Sequence, residues 1–136
     1  MIIQKEIILP PFKKGLHIID RAILDAIGEL PEKGLMNIFI KHTSAGLMIN
    51  ENADPDVRTD LLTLLEKMAP EGASYYEHTM EGPDDMPAHF KSSVLGQSLT
   101  IPISNHSMNL GVWQSIYLCE FRNYGGSRKL VITLYC

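Results

Sequence analysis

Cysteine, tryptophan and surplus basic charge are all scarce here: two cysteines, one tryptophan, and 12 Lys and Arg against 16 Asp and Glu in 136 residues. Two cysteines cannot build a disulfide framework or a cysteine-rich zinc cluster. Cys119 lies in an apolar run and Cys136 is the last residue, so both read as reduced thiols. A formal net charge of -4 with no basic stripe sets nucleic-acid binding aside. No apolar run approaches the ~20 residues that cross a bilayer. The start, Met1-Ile2-Ile3-Gln4-Lys5-Glu6, meets charge too early for a signal peptide. No membrane partner and a cytoplasmic address are therefore expected. Phosphate-loop, Rossmann, Gly-x-Ser-x-Gly and His-Glu-x-x-His patterns are missing as well, which leaves nucleotide, serine-hydrolase and zincin readings without local support.

What remains is 45% hydrophobic and 21% charged, the balance of one soluble domain over residues 1–136. A chain of this length buries roughly two-thirds of its unfolded surface and needs no metal or disulfide staple, so any metal would serve function rather than folding. Ile2 to Leu9 reads as a strand stopped by Pro10-Pro11. Leu16 to Leu30, with Ile19, Ile23, Ala26, Ile27 and Leu30 at helical spacing, reads as an amphipathic helix. From Leu35 the period drops to two, and with Leu47-Met48-Ile49 beyond Thr43-Ser44-Ala45-Gly46 this predicts two neighbouring strands joined by a tight turn. Asp54 as N-cap and Pro55 at the first helical position open a second helix, with Val57, Leu61, Leu64, Leu65 and Met68 as its buried stripe and Pro70 as its end.

Glu71 to His89 loses periodicity, and a loop of about 18 residues is long enough to be a functional candidate. A short helix from Pro87 to Gly96 is expected next, then strands over Leu99–Ile103, Leu110–Arg122 and Arg128–Tyr135, the last two joined by a hairpin at Asn123–Ser127. Along Leu110–Arg122 both alternating faces are largely apolar, which marks a central strand covered on both sides. The fold class is α+β, a largely antiparallel sheet packed with two main helices in one domain.

Polar residues cluster at the ends of these elements. His42 ends an apolar strand face. His78 and His89 are eleven apart with Glu81, Asp84 and Asp85 between them, and imidazole plus carboxylate suits a divalent ion such as Zn, Mg or Mn, or acid–base and anion-binding work without metal. Asp54 is accounted for as a helix cap. Glu51 is left to orient His42 or His78, to bind a ligand, or to pair with Arg58 or Arg122. Trp113 reads as a core or interface residue, and the Gln114 amide must satisfy either a loop backbone or a polar ligand. Arg122 and Arg128 are able to hold a phosphate or carboxylate in a fork.

Taken together, His42-Thr43-Ser44-Ala45-Gly46-Leu47-Met48-Ile49-Asn50-Glu51-Asn52-Ala53-Asp54-Pro55, His78-Thr79-Met80-Glu81-Gly82-Pro83-Asp84-Asp85-Met86-Pro87-Ala88-His89, and Leu110-Gly111-Val112-Trp113-Gln114 through Glu120-Phe121-Arg122 closely resemble the YjbQ family. The resemblance spans essentially the whole chain. It implies an α+β subunit, a homotrimer, and a secondary thiamine-phosphate synthase activity on small phosphorylated metabolites. It carries over His42, His78 and His89 as central imidazoles, with His78 and His89 as metal ligands. Glu51 joins the catalytic set, and Ser44, Asn50, Asp85, Gln114 and Arg122 are expected on the substrate. One departure is visible: family members often place an acid right after the loop histidine, whereas Thr79 and Met80 follow His78 here, leaving Glu81 or Asp84 to substitute. Two other activities fit the same residues, a metal-dependent hydrolase or lyase on a small phosphorylated metabolite and a non-catalytic small-anion sensor.

Overall fold

The computed structural model describes residues 1–136. In chain order the elements are β1 (Ile2–Ile8), β2 (Gly15–Ile18), α1 (Asp20–Ile27), β3 (Lys33–Ile40), β4 (Ala45–Glu51), α2 (Pro55–Met68), α3 (Asp85–Leu95), β5 (Ser98–Ser104), β6 (Ser107–Met108), β7 (Gln114–Glu120) and β8 (Lys129–Tyr135). Strand alternation sorts them into two antiparallel sheets, one of order β1-β8-β3-β5-β6 and one of order β2-β7-β4. Met36, Ile38, Ile40, Ile101, Ile103, Leu130, Ile132 and Leu134 of the large sheet meet Leu47, Ile116 and Leu118 of the small one, with Ile23 and Ile27 of α1 closing the core. Each such side chain taken fully from water contributes about 1.5–3 kcal/mol. On the other face of β7, Tyr117 and Cys119 pack with Phe121 against Leu65 of α2 and Ala88 of α3. The strand read as central and doubly covered is so, between β2 and β4, and the domain is α+β with antiparallel sheets and three helices.

Several local expectations change. The first helix begins at Asp20, because Leu16–Ile18 pairs with Tyr117–Cys119 as β2 and the Asp20 carboxylate accepts the Ile116 N–H at 2.6 Å. β3 and β4 are not a hairpin: the chain between them crosses from one sheet to the other. The long loop ends at Asp84, and α3 opens at Asp85 rather than Pro87, which puts His89 on a helix. Asp54 caps α2 as expected, accepting the Asp56 N–H at 2.9 Å. Of its predicted stripe, however, only Leu65 is buried, with Leu64 and Met68 62% and 56% exposed. Two strand periods cannot reveal which helix face the sheet leaves uncovered.

The expected hairpin at Asn123–Ser127 is also a crossing between sheets, since β7 and β8 pair with different neighbours. A buried ion pair ties its ends together. Arg128 donates from Nε to Glu120 Oε1 at 2.7 Å and from Nη2 to Glu120 Oε2 at 2.6 Å, and Nη2 also reaches the Ser44 carbonyl at 3.4 Å. Gly125 lies over this pair so closely that a Cβ there would sit within 2.3 Å of Glu120 Oε1, so the crossing requires glycine at that point.

A second close approach seats α3. A Cβ on Gly46 would lie 3.1 Å from the Gly96 carbonyl and 3.6 Å from Ser92 Cα, so the bare backbone of β4 lets the end of α3 rest on the small sheet. Lys91 of α3, fully buried, donates to Glu66 Oε1 of α2 at 2.8 Å, and Lys14 takes Glu66 Oε2 at 3.0 Å. Removing one member of the Glu120–Arg128 pair strands a charge in the core. Arg128→Met should therefore cost about 3–5 kcal/mol in urea unfolding, whereas a loss under ~1 kcal/mol would mean that solvent already reaches the pair.

Candidate functional site

The first turn of α3 and the loop before it converge on one carboxylate. Asp85 is 1% exposed. Its Oδ2 faces His78 Nε2 at 2.6 Å and His89 Nε2 at 2.9 Å, and its Oδ1 accepts from Arg122 Nη1 at 2.6 Å. Asp85 and His89 are four apart on α3 and so share a helix face, while His78 arrives from the loop. The three ligand-capable atoms lie within 4.8 Å of one another, a His/Asp/His group able to hold an ion.

Arg122, just past β7, acts as a fork. Besides Asp85 it donates from Nε to Asp84 Oδ2 at 3.0 Å and from Nη2 to the Glu81 carbonyl at 3.1 Å, and Asp84 Oδ2 also accepts the Asn123 N–H at 2.9 Å. The fork thus holds carboxylates of its own chain and pins the loop to the sheet. Neither candidate substitute for the missing acid after His78 reaches the imidazoles in these bonds: Asp84 is taken up by Arg122 and Asn123, and Glu81 contributes its carbonyl.

Burial by itself would raise the Asp85 carboxyl, but the His78 hydrogen bond and the charges of His89 and Arg122 outweigh it and hold Asp85 below the usual carboxylate range. Asp84 is lowered in the same way, burial being overcome by the Asn123 N–H and Arg122.

His89 is oriented from both sides. Its Nδ1 lies 2.8 Å from the Thr43 carbonyl, an acceptor only, so Nδ1 carries a proton; Nε2 faces Asp85 Oδ2 at 2.9 Å, where a proton bonds it to the carboxylate and where, once that proton leaves, the lone pair is turned toward Asp85 and His78. His42, the last of the three imidazoles, is set differently. Its Nε2 accepts the Lys129 N–H at 2.8 Å, and burial with the nearby Arg128 charge pushes its pKa down. His42 and His89 meet across a cleft of about 410 Å³ that also involves Lys41, Thr43, Ser93 and Gln97. His78 lines a second hollow of about 360 Å³ with Tyr76 and Thr79. The imidazole pair therefore stands between two clefts.

The other candidate residues lie elsewhere. Glu51 and Gln114 pair at one end of the small sheet, whereas Ala45 and Glu120 pair at the other, six residues or roughly 20 Å along the strands. There the Glu51 carboxylate accepts the backbone N–H groups of Ala53 and Asp54 at 3.0 and 2.9 Å, meeting neither a histidine nor an arginine. Asn50 Oδ1 accepts the Glu51 N–H at 2.7 Å, and Gln114 Oε1 accepts the Gly111 N–H at 2.8 Å. Ser44 is nearly buried with its carbonyl turned to Arg128, and Trp113 is 61% exposed. Two site elements escaped the sequence reading: the Thr43 carbonyl that orients His89, which no side-chain pattern announces, and Asp84 as the partner of Arg122. The adjacent Asp84-Asp85 pair was the available signal for the second.

Comparisons with known proteins agree on the family. The family described as "UPF0047 protein YjbQ-like" matches residues 5–136. The UPF0047 protein YjbQ of Salmonella typhimurium is 47% identical over 133 residues, 96% of each chain. A crystal structure of an uncharacterized conserved protein of the YjbQ/UPF0047 family from Clostridium acetobutylicum has a TM-score of 0.82 at 36% identity, covering 96% of this chain and 99% of that one. A YbjQ-like protein of unknown function from Sulfolobus solfataricus, 20% identical with a TM-score of 0.84 over 98% and 96% of the two chains, shares the fold. The chain belongs to the UPF0047 YjbQ-like family.

The Arg122 fork generates a measurable expectation. Lysine keeps the charge but offers its donors from a single atom, so it cannot meet Asp84, Asp85 and the Glu81 carbonyl as the planar fork does, and Arg122→Lys should lose about 2 kcal/mol of stability at pH 7. Because Asp84 and Asp85 are depressed when folded, their contribution is complete above the ordinary carboxyl value of 3.8 and is lost as pH falls from there toward the lower folded-state values. Urea unfolding from pH 7 to pH 3 should show the gap between variant and parent narrowing below about 3.8; a constant gap would mean that the fork does not act through these carboxylates.

Proposed function

We propose that this member of the UPF0047 YjbQ-like family is an enzyme acting on small phosphorylated metabolites, with a divalent cation held by His78, Asp85 and His89. The observation that carries the reading is the orientation of His89: its Nδ1–H is committed to the Thr43 carbonyl, which leaves Nε2 beside Asp85 Oδ2 and next to His78 Nε2. A second hydrogen bond that fixes the tautomer is the usual setting of a ligating imidazole. Two imidazoles and a carboxylate form a borderline-soft set that suits Zn or Mn better than Mg. Three protein ligands also leave positions open for substrate. When bound, the ion would supply positive charge to a phosphate or diphosphate oxygen. Against the effect of burial, Asp85 is kept ionised by His78, His89 and Arg122, and Arg122 in turn is held by Asp84, so the chain orients its ligands before anything binds.

The specific reaction we favour follows from the family resemblance: a thiazole phosphate nitrogen displaces diphosphate from the methylene carbon of a pyrimidine diphosphate, forming the C–N bond of thiamine phosphate as the C–O bond breaks. The chain has no glycine-rich diphosphate cradle, which suits a weak, secondary activity. The open three-ligand set equally favours a second reading, hydrolysis or elimination on a small phosphorylated metabolite. The homotrimer is part of the proposal too. Ile2, Tyr135 and Leu35 form one cross-strand row on the outer face of the large sheet, and all are exposed in the single chain, as are Phe39 and Ile8 farther along β3 and β1. A reducing, cytoplasmic setting suits the buried Cys119, whose thiol burial pushes up to about 12.

Untagged protein should bind one Zn or Mn per chain, and both His78→Ala and His89→Ala should weaken that binding at least tenfold; full retention in either variant removes that histidine as a ligand. Thiamine phosphate should form from its two precursors above background and be lost in His89→Ala. Phosphate release from other phosphorylated metabolites without thiamine phosphate formation would select the hydrolase reading. Light scattering at micromolar concentration should give three times the 15.2 kDa chain mass, and a monomer mass would refute the trimer.

A further inference from the structure

The cleft between His42 and His89 differs from the rest of this acidic chain in its lining. Lys41, His42, Thr43, His89 and Gln97 supply its polar wall together with two serines, and no carboxylate lines it, although the chain carries 16 Asp and Glu. Its hydroxyls are partly committed. Ser92 Oγ donates to the Thr43 carbonyl at 2.7 Å, and Ser93 Oγ to the His89 carbonyl at 2.8 Å. The first bond fastens α3 to the cleft wall and the second stays within the helix, which leaves His42, Thr43, Gln97 and Lys41 as the groups able to donate outward.

His42 decides the chemistry. A backbone N–H only donates, so the Lys129 N–H aimed at Nε2 requires a lone pair there and puts the ring proton on Nδ1. An imidazolium has no lone pair to offer, so protonating His42 would break that bond. Burial and the Arg128 charge, both of which lower its pKa, act in the same direction. The side chain makes no other hydrogen bond within the protein. A neutral ring with Nε2 occupied and Nδ1–H free is a hydrogen-bond donor. It cannot ligate a metal through Nε2, nor take a proton there, while the Lys129 bond stands.

We propose that this cleft is an oxyanion subsite for the phosphate group of the substrate, in which His42 is a neutral Nδ1–H donor, Thr43 and Gln97 donate from the walls, and Lys41 supplies charge at the rim. The assignment deepens the phosphoryl reading above and rests on it. It gives the third imidazole a role distinct from that of His78 and His89: the latter two meet at Asp85, and His42 holds the group that must lie beside them. The exposed Lys41 ammonium is 2.8 Å from Glu6 Oε1, a solvent-facing pair that an arriving dianion can compete for at little cost.

The probe is inorganic phosphate, titrated into the full-length, uniformly ¹⁵N-labelled protein in metal-free and Zn-loaded form, with acetate as the carboxylate control. Long-range imidazole ¹H–¹⁵N correlations at pH 7 should show His42 as the neutral Nδ1–H tautomer. Phosphate should shift its Nδ1 signal saturably, leaving His17 and His106, which bond to the Lys13 and Leu30 carbonyls away from the cleft, in place. An Nε2–H tautomer or an imidazolium at His42 overturns the assignment, as does a phosphate response that never saturates or is matched by acetate. His42→Met keeps a weak acceptor, the thioether sulfur, for the Lys129 N–H and has no donor, so it should weaken phosphate binding at least fivefold with Zn stoichiometry unchanged. Gln97→Leu, outside the Lys129 contact, should weaken phosphate binding at least twofold and covers the case in which the His42 variant does not fold. Loss of Zn in His42→Met would place His42 in the metal centre and refute the subsite. Saturable, His42-dependent phosphate binding in a chain that takes up no Zn would instead sink the metal reading and leave the subsite standing.

Discussion

Asp85 has one carboxylate and three partners, and the architecture around the site follows from that fact. One oxygen accepts from Arg122 while the other faces two imidazoles, all in a position closed to water. A buried, ionised carboxylate is costly unless it is paired and fully hydrogen-bonded. Here the bonds come from three separate parts of the chain: α3, the loop before it, and the segment after β7. Satisfying Asp85 therefore fixes how those parts sit against one another. A stable fold and an oriented pair of histidines are obtained through the same contacts.

The frame is built to bring those three parts together. The small sheet is a middle layer, with the large sheet on one side and α2 and α3 on the other, and β7 at its centre shows an apolar face to each. Two chain crossings carry the strands between sheets near the site. The first supplies His42 and the Thr43 carbonyl, and the second supplies Arg122 and Arg128. Both depend on polar groups that backbone pairing would otherwise have satisfied. The Glu120–Arg128 pair closes one crossing, and its Arg128 also reaches the Ser44 carbonyl on the other. The ion pair thus links the two crossings, and burial together with the Arg128 charge, against the opposing effect of Glu120, holds the pKa of the neighbouring His42 down.

Seen this way the three imidazoles are not equivalent. His89 and His78 converge on a carboxylate, and the tautomer of His89 is set by a backbone acceptor. His42 is set by a backbone donor and so has the opposite nitrogen free. A proton's position on each ring is decided by a main-chain group far away in sequence, 46 residues for His89 and 87 for His42. Chemistry that treats the histidines alike because they share conserved-looking surroundings in the sequence would miss this division.

Local sequence determined a good deal. Period-two apolar runs located most strands, both apolar faces of β7 marked it as central, and Asp54-Pro55 fixed the start of α2, because these signals depend on side chains a few residues apart. That His78 and His89 belong together was legible for the same reason, since they lie within one short stretch, whereas the choice of Asp85 over Glu81 and Asp84 as the acid between them came from the folded chain. What the sequence did not disclose was which strands share a sheet, that Leu16–Ile18 is a strand, and that Glu51, Asn50 and Gln114 lie at the far end of the small sheet. Each of these is a matter of pairing between distant segments, settled by which faces can be buried together. The roles of Arg122, holding Asp84 and Asp85, and of Thr43 and Lys129, orienting two rings through their main-chain groups, belong to the tertiary structure alone. A backbone carbonyl or N–H is the same at every such position, and only the folded chain decides which one a side chain meets.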